Sequence, residues 1–151
     1  MATPGRKLIL ENLQTTFETI TTGNGYKTTV TLVQALARGY FDVKSGERPF
    51  IGYVPTSETM QHQPGDNVYN IMNMSVIGHI SGDTLADRQT KINNLIDDVI
   101  AALNVDTTRG ANAISTTALS VETDEGDPDA FGDGSFLMQT QIRYVRTTGS
   151  T

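Results

Sequence analysis

The sequence predicts a single α+β domain in which a mixed or antiparallel β-sheet packs against two main helices, in the order α-β-β-β-α-β-β. Three observations predict it. Two segments carry apolar residues at helical spacing, five segments alternate apolar with polar residues, and the 151 residues hold no repeat or linker that would mark a second domain. A chain of this length can bury a substantial core without disulfides or metal.

The first helix is expected over residues 4–20, where Ile9, Leu10, Leu13, Phe17 and Ile20 make one narrow apolar face. Pro4 suits a first turn, and Gly23-Asn24-Gly25 is a stop. Residues 26–33 read as a strand because Tyr26, Thr28, Val30 and Leu32 alternate with Lys27, Thr29 and Thr31. Residues 35–43 fit either a short helix or a continued strand. Residues 48–54 read as the next strand, with Pro49 favouring its start or a sheet edge. Residues 55–67 are polar and bounded by two prolines, so they read as a long loop, a kind that is often functional.

Residues 68–80 form the longest β-like run. Met72, Met74 and Val76 share one face, while Tyr69, Ile71 and Ile77 lie on the other, which predicts a bulge or a second contact surface. The second helix has Asp83 or Thr84 as its cap, with Asp87 at capping-box spacing from Thr84. Its apolar stripe comprises Leu85, Ile92, Leu95, Ile96, Val99, Ile100 and Leu103. Residues 114–121 give a fourth strand. In the fifth, Phe136, Met138, Thr140, Ile142 and Tyr144 oppose Gln139, Gln141 and Arg143. Residues 147–151 read as a frayed tail.

Charge is informative by position. The chain has 17 acidic and 11 basic residues, a formal excess of −6. Glu122, Asp124, Glu125, Asp127, Asp129 and Asp133 fall together with no base among them, so this one loop accounts for the whole excess. No basic stripe exists to neutralise phosphates, which argues against tight nucleic-acid binding by the monomer. With no cysteine, disulfides and thiolate chemistry are excluded. The apolar run near the N-terminus is too short for a signal peptide or membrane span, so the chain reads as cytosolic or part of a particle assembled there.

No group of residues is spaced for chemistry, and neither an enzymatic activity nor a cofactor is expected. Read from Asp127 as a calcium loop, the acidic segment has Gly132 at the sixth position but Met138 at the twelfth, where a carboxylate is required. A solvated acidic hairpin loop is the simpler reading. His62 and His79 are too few for a zinc site, even with Asp83 or Glu58. Gly-x-Ser-x-Gly is absent, and Gly23-Asn24-Gly25 lacks the ending of a phosphate loop. Asp97 and Asp98 point about 100° apart on their helix and are expected in water. Lys27, Arg38, Lys44 and Arg48 could form a modest basic face. The candidate partner-contact residues sit in the two long loops: Met60 and His62 in the first, and Asp124, Glu125, Asp127, Asp129 and Phe131 in the second. Met60 and Phe131 are large apolar side chains in polar loops, a pattern that accompanies partner contacts.

The C-terminal half carries a recognisable pattern. Ile77-Gly78-His79-Ile80 precedes the second helix, Leu95-Ile96-Asp97-Asp98-Val99 and Ala102-Leu103 lie within it, and Asp106-Thr107-Thr108 follows. Thr123-Asp124-Glu125-Gly126 and the closing strand complete it. This series resembles the tail terminator (tail completion) proteins of long-tailed bacteriophages, and the first half matches them in element order. The turn at residues 109–113 departs from the pattern in lacking a double glycine. The resemblance implies a structural virion protein forming a homo-oligomeric ring, a hexamer, that caps the tail tube and ends its polymerisation. The ring would contact the tail tube protein on one side and the head–tail connector or stopper on the other. DNA would pass through its channel without specific binding, and no membrane is involved. A compact chain of this length has a radius of gyration of roughly 15 Å, and six such bodies around an axis leave room for a duplex. The acidic loop would line that opening or contact a neighbour. A neighbouring neck protein (a stopper or adaptor) and a small metal-dependent enzyme using the acidic loop are the alternatives.

Overall fold

The computed structural model describes residues 5–36, 38, 43–65, 67–124 and 134–147. Helices α1 (Gly5–Glu18) and α2 (Leu85–Val105) pack against a five-stranded sheet of β1 (Leu32–Gln34), β2 (Phe50–His62), β3 (Asn67–Ile80), β4 (Ser115–Thr123) and β5 (Gly134–Thr147). The strand order is β1-β2-β3-β5-β4. Only β1–β2 is parallel; the other three pairings are antiparallel. The sheet is therefore mixed, and the α+β architecture stands.

One face of the sheet carries the core. Ile9, Leu13, Phe17 and Ile20 meet Ile92, Leu95, Val99, Ala102 and Leu103 over Ile51, Tyr53, Met72, Met74, Val76, Phe136, Met138, Ile142 and Tyr144. The period-2 pattern of β5 and the helical period of α1 and α2 thus aim their apolar sides at one layer. Thr84 caps α2 by accepting the Asp87 N–H at 3.1 Å, and Asp87 reaches back to the Asp83 N–H at 3.0 Å. The capping box is closed on the residue before the cap.

Several expectations change. Residues 26–31 are not a ladder strand. The Val30 N–H goes to Ile20 O at 3.0 Å and the Thr31 N–H to Pro49 O at 2.8 Å, so only Leu32–Gln34 remain to pair with β2. The expected loop at 55–67 is instead the outer half of β2 and its turn into β3. Met60 and His62 accordingly sit on a strand, paired with Asn70 and Val68. The segment is polar because it stands clear of the helices, and Pro55 fits because it lies at a bulge on an edge that β1 no longer covers. Gln63 N–H donates to Asn67 O at 3.0 Å across the turn, where Gly65 takes φ 88°.

β3 itself has no bulge: it pairs with β5 without interruption from Asn67↔Thr147 to Ile80↔Gly134. The register shifts lie in β2 between Pro55 and Ser57, and in β4 between Ala118 and Ser120. On α2, Leu85 is exposed and Arg88 takes a buried place in the stripe. Asp98 is buried, not solvated, its Oδ1 accepting the Lys27 N–H at 3.1 Å, while Asp97 stays outside and pairs with Lys27 Nζ. Of the expected tail, Thr147 ends β5 and 148–151 lie outside the described residues.

The turn after α2 has a conformation that the sequence did not announce. Arg109, Gly110 and Ala111 are consecutive left-handed residues, with φ 51°, 69° and 66°. Two of the three are not glycine, so each carries a steric cost. The Arg109 side chain offsets it. Fully buried, it donates to Leu103 O at 2.6 Å, to Asp106 O and to Thr16 Oγ1 at 3.3 Å, closing the end of α2 against α1. Asp106 ties the same turn from outside. Its carboxylate takes the Thr108 hydroxyl and the Thr108 and Gly110 N–H groups, which hold its pKa down to about 2.

Candidate functional site

Strand direction puts the candidate residues at opposite ends of the sheet. His62, Val68 and Arg146 share one end row, and Phe50, His79 and Ser135 share the other. At about 3.3 Å per residue these rows lie roughly 35 Å apart. Met60 and His62 belong to the first end and Asp124, following β4, to the second. The structure does not bring them together. Glu125, Asp127, Asp129 and Phe131 lie outside the described residues.

The end bearing Asp124 is a clamp built around His79. Its ring is 3% exposed and stacks on Phe50 with centroids 5.7 Å apart. Nε2 lies 2.8 Å from Arg38 O, a carbonyl that can only accept, so Nε2 carries the proton and Nδ1 accepts from Ser135 Oγ at 2.6 Å. Burial lowers the His79 pKa below its ordinary 6.5, outweighing the Arg38 carbonyl that raises it. The Arg38 guanidinium lies over Phe50 and pairs with Glu47 at 3.1 Å. Gly52 is a glycine because the Leu36 carbonyl crosses directly over it. Residues 36 and 38 are thereby strapped to the outer sheet face.

The Ser135 N–H donates to Asp124 Oδ1 at 3.0 Å. The group works as a tie between β3, β5, the strap and the start of the acidic segment. A cleft of about 470 Å³ beside it is lined by Ile77, Leu137, Thr123, Glu122 and Asp124. Among the described residues no three His, Asp or Glu side chains converge to hold a metal.

At the other end, Tyr144 donates to Glu58 Oε2 at 2.9 Å and accepts from Arg146 at 2.9 Å. Arg6 and Arg146 approach the same carboxylate at 3.5 and 3.7 Å. Burial, then Glu58, raises the Tyr144 pKa above its ordinary value. This cluster ties the N-terminal turn of α1 to the long hairpin and leaves Met60 51% exposed beyond it.

The expected basic face is dispersed. Lys27 pairs with Asp97, Arg38 with Glu47, and Arg48 donates to Ser81 Oγ at 3.0 Å and Val43 O at 2.8 Å. The outer sheet face is covered by the strap only at the His79 end. Beyond it, hydroxyls and amides meet one another: Ser57 with Asn73 at 3.0 Å, Asn73 with Gln141 at 3.5 Å and Ser75 with Gln139 at 3.3 Å.

Sequence reasoning missed the two lateral edges. β4 ends the sheet on one side, and all its residues after Thr116 are exposed. On the other side β1 covers only Phe50, Ile51 and Gly52, so the rest of β2 is an edge among the described residues. The run STTALSVET, with no Lys or Pro to guard it, was the available signal for β4. No helix among the described residues is long and apolar enough to cross a membrane. No protein-family model matches this sequence, and no curated protein matches it.

Proposed function

We propose that the chain is a structural virion protein of the tail terminator kind, forming a ring that caps the tail tube, stops its growth and offers the joining surface to the head. The observation that carries this reading is one sheet with two open lateral edges and two distinct ends. Such a subunit has an edge for each neighbour in a ring, because a heterologous contact closes when its rotation permits. It also has a separate end for the tube and for the connector. The uncovered face, where hydroxyls and amides surround the guanidinium of Arg143, suits a channel wall: it offers DNA few cations, so passage is not slowed by counterion exchange. Asp124 falls at one ring face on this reading, and Met60 and His62 at the other.

The decisive experiment is a phage lacking this gene. Free heads and unjoined tails, many of them abnormally long, are expected by electron microscopy. Joined virions of normal tail length would exclude tail termination. Unjoined tails of normal length would point to a stopper or adaptor instead.

A further inference from the structure

The two lateral edges match one another. β2 and β4 run in opposite directions, since β2–β3, β3–β5 and β5–β4 are each antiparallel. A copy placed beside the sheet without inversion therefore presents its β4 antiparallel to the uncovered part of β2. Both edges are bulged beside one row, in which Pro55 pairs with Met74, Met74 with Thr140, and Thr140 with Ala118; the β2 bulge lies on the Asn73 side of this row and the β4 bulge on its Ser75 side. A bulge bends its strand and sharpens the local twist, so two edges bent on either side of one row can follow each other. β4 also exposes Leu119 (56%) and Val121 (37%) along an unguarded edge, an arrangement that demands a cover.

Charge is compatible with the same partner. The β4 side leads through Glu122 and Asp124 into Glu125, Asp127, Asp129 and Asp133. On the β1 side the cations are dispersed and already engaged, Lys27 with Asp97 and Arg38 with Glu47, near the level of Gly52 that a neighbour's Glu122 would reach. The Lys27–Asp97 pair is solvent-exposed on both sides, and such pairs are held weakly enough to be shared.

We propose that the occupant of the β4 edge is a second copy of this chain, pairing antiparallel with residues 53–60 of β2 so that Ala118 of one copy lies beside Pro55 of the next and Thr117 beside Ser57. The inference rests on the ring reading for the presence of neighbours, and its test separates the two. The chain has no cysteine, so the double variant Ser57→Cys, Thr117→Cys carries only the two new thiols. Within one copy the two positions are three strand spacings apart, about 14 Å, well beyond the ~7 Å Cα limit of a disulfide. Every 57–117 disulfide is therefore between copies.

Oxidation of the assembled protein, purified or in virions carrying the variant, should give a ladder of covalent multimers that stops at a closed ring, while each single variant gives no ladder. Normal virions containing the double variant without any 57–117 disulfide would overturn the edge pairing and leave the ring reading standing. A ladder that grows without limit would uphold the pairing and sink the ring. As a second measure, Leu119→Lys places a charge on the exposed bulge. It should leave the monomer folded by circular dichroism and abolish the multimers; undiminished assembly would count against the proposal.

Discussion

Substituting Gly78 by alanine tests how the sheet and helices are keyed together. Gly78 is the glycine of Ile77-Gly78-His79-Ile80 and pairs across the strands with Phe136. A Cβ at this position would lie 2.7 Å from Phe136 Cζ and 2.8 Å from Cδ1, and closer still to Cε1. The ring is 2% exposed and part of the core, so it has nowhere to swing freely. Forcing a methyl into occupied space costs about 1–3 kcal/mol. Restricting the unfolded chain returns about 0.4–1 kcal/mol, leaving a net loss of roughly 0–2.6 kcal/mol. Phe136→Ala should cost about 3–5 kcal/mol by itself, but it removes the atoms that Gly78→Ala strikes. In that background the alanine should be neutral or slightly stabilising. The double-mutant cycle is then strongly non-additive, with a coupling of about 1–3 kcal/mol. Urea unfolding followed by circular dichroism gives the four free energies. Additive costs would refute the claim that the glycine exists to admit the ring.

Two other perturbations address buried polar groups. Arg109→Met keeps bulk but removes the donors to Leu103 O and Asp106 O; unsatisfied buried acceptors cost about 1–3 kcal/mol, and an unchanged melting temperature would show that the guanidinium does not hold the end of α2. Acidification should weaken the fold through His79, which faces Ser135, Phe50, Arg38, Arg48 and Asp124. Its pKa is lowered in the folded state, so the unfolded chain binds the proton first; the stabilisation is complete above pH 6.5 and is lost as pH falls through the folded value. The urea midpoint should drop from pH 7 to 5, and His79→Gln should flatten that drop; an equal slope in the variant would contradict the assignment. Asp106 adds a second loss only at far lower pH, from 3.8 towards about 2.

What the sequence discloses depends on whether a residue's role is local. Helix α2 was legible because cap, stripe and length all lie within one segment. β5 was legible because its inward face from Phe136 to Tyr144 is apolar but for Thr140. The outer half of β2 was not, because solvent exposure on a protruding hairpin leaves Thr56, Ser57, Gln61 and His62 as polar as any loop. Residues 26–31 misled in the opposite sense. Tyr26 and Val30 do pack against the core, yet their backbone hydrogen bonds go to Ile20 and the Thr21 turn, not to a ladder. The candidate site divides along the same line. The concentration of acid after β4 is visible in print. The spent hydrogen bonds of His79 and the two bulges on either side of one row depend on pairings between segments far apart in the chain.

The position of β5 has a consequence for how the protein is made. It lies between β3 and β4 in space but follows both in sequence, and its register with β3 joins residues as far apart as Asn67 and Thr147. Until Gly134–Thr147 has left the ribosome, β4 has no strand to lie against and the core lacks Phe136, Met138, Ile142 and Tyr144. Long-range pairing of this kind forms late, after the cost of closing the loop has been met. The edge that would recruit a neighbour is thus assembled by the last of the described strands to be synthesised. A chain truncated before Gly134 keeps the β2–β3 hairpin but has no β5 on which to seat β4, so it lacks one of the two joining edges.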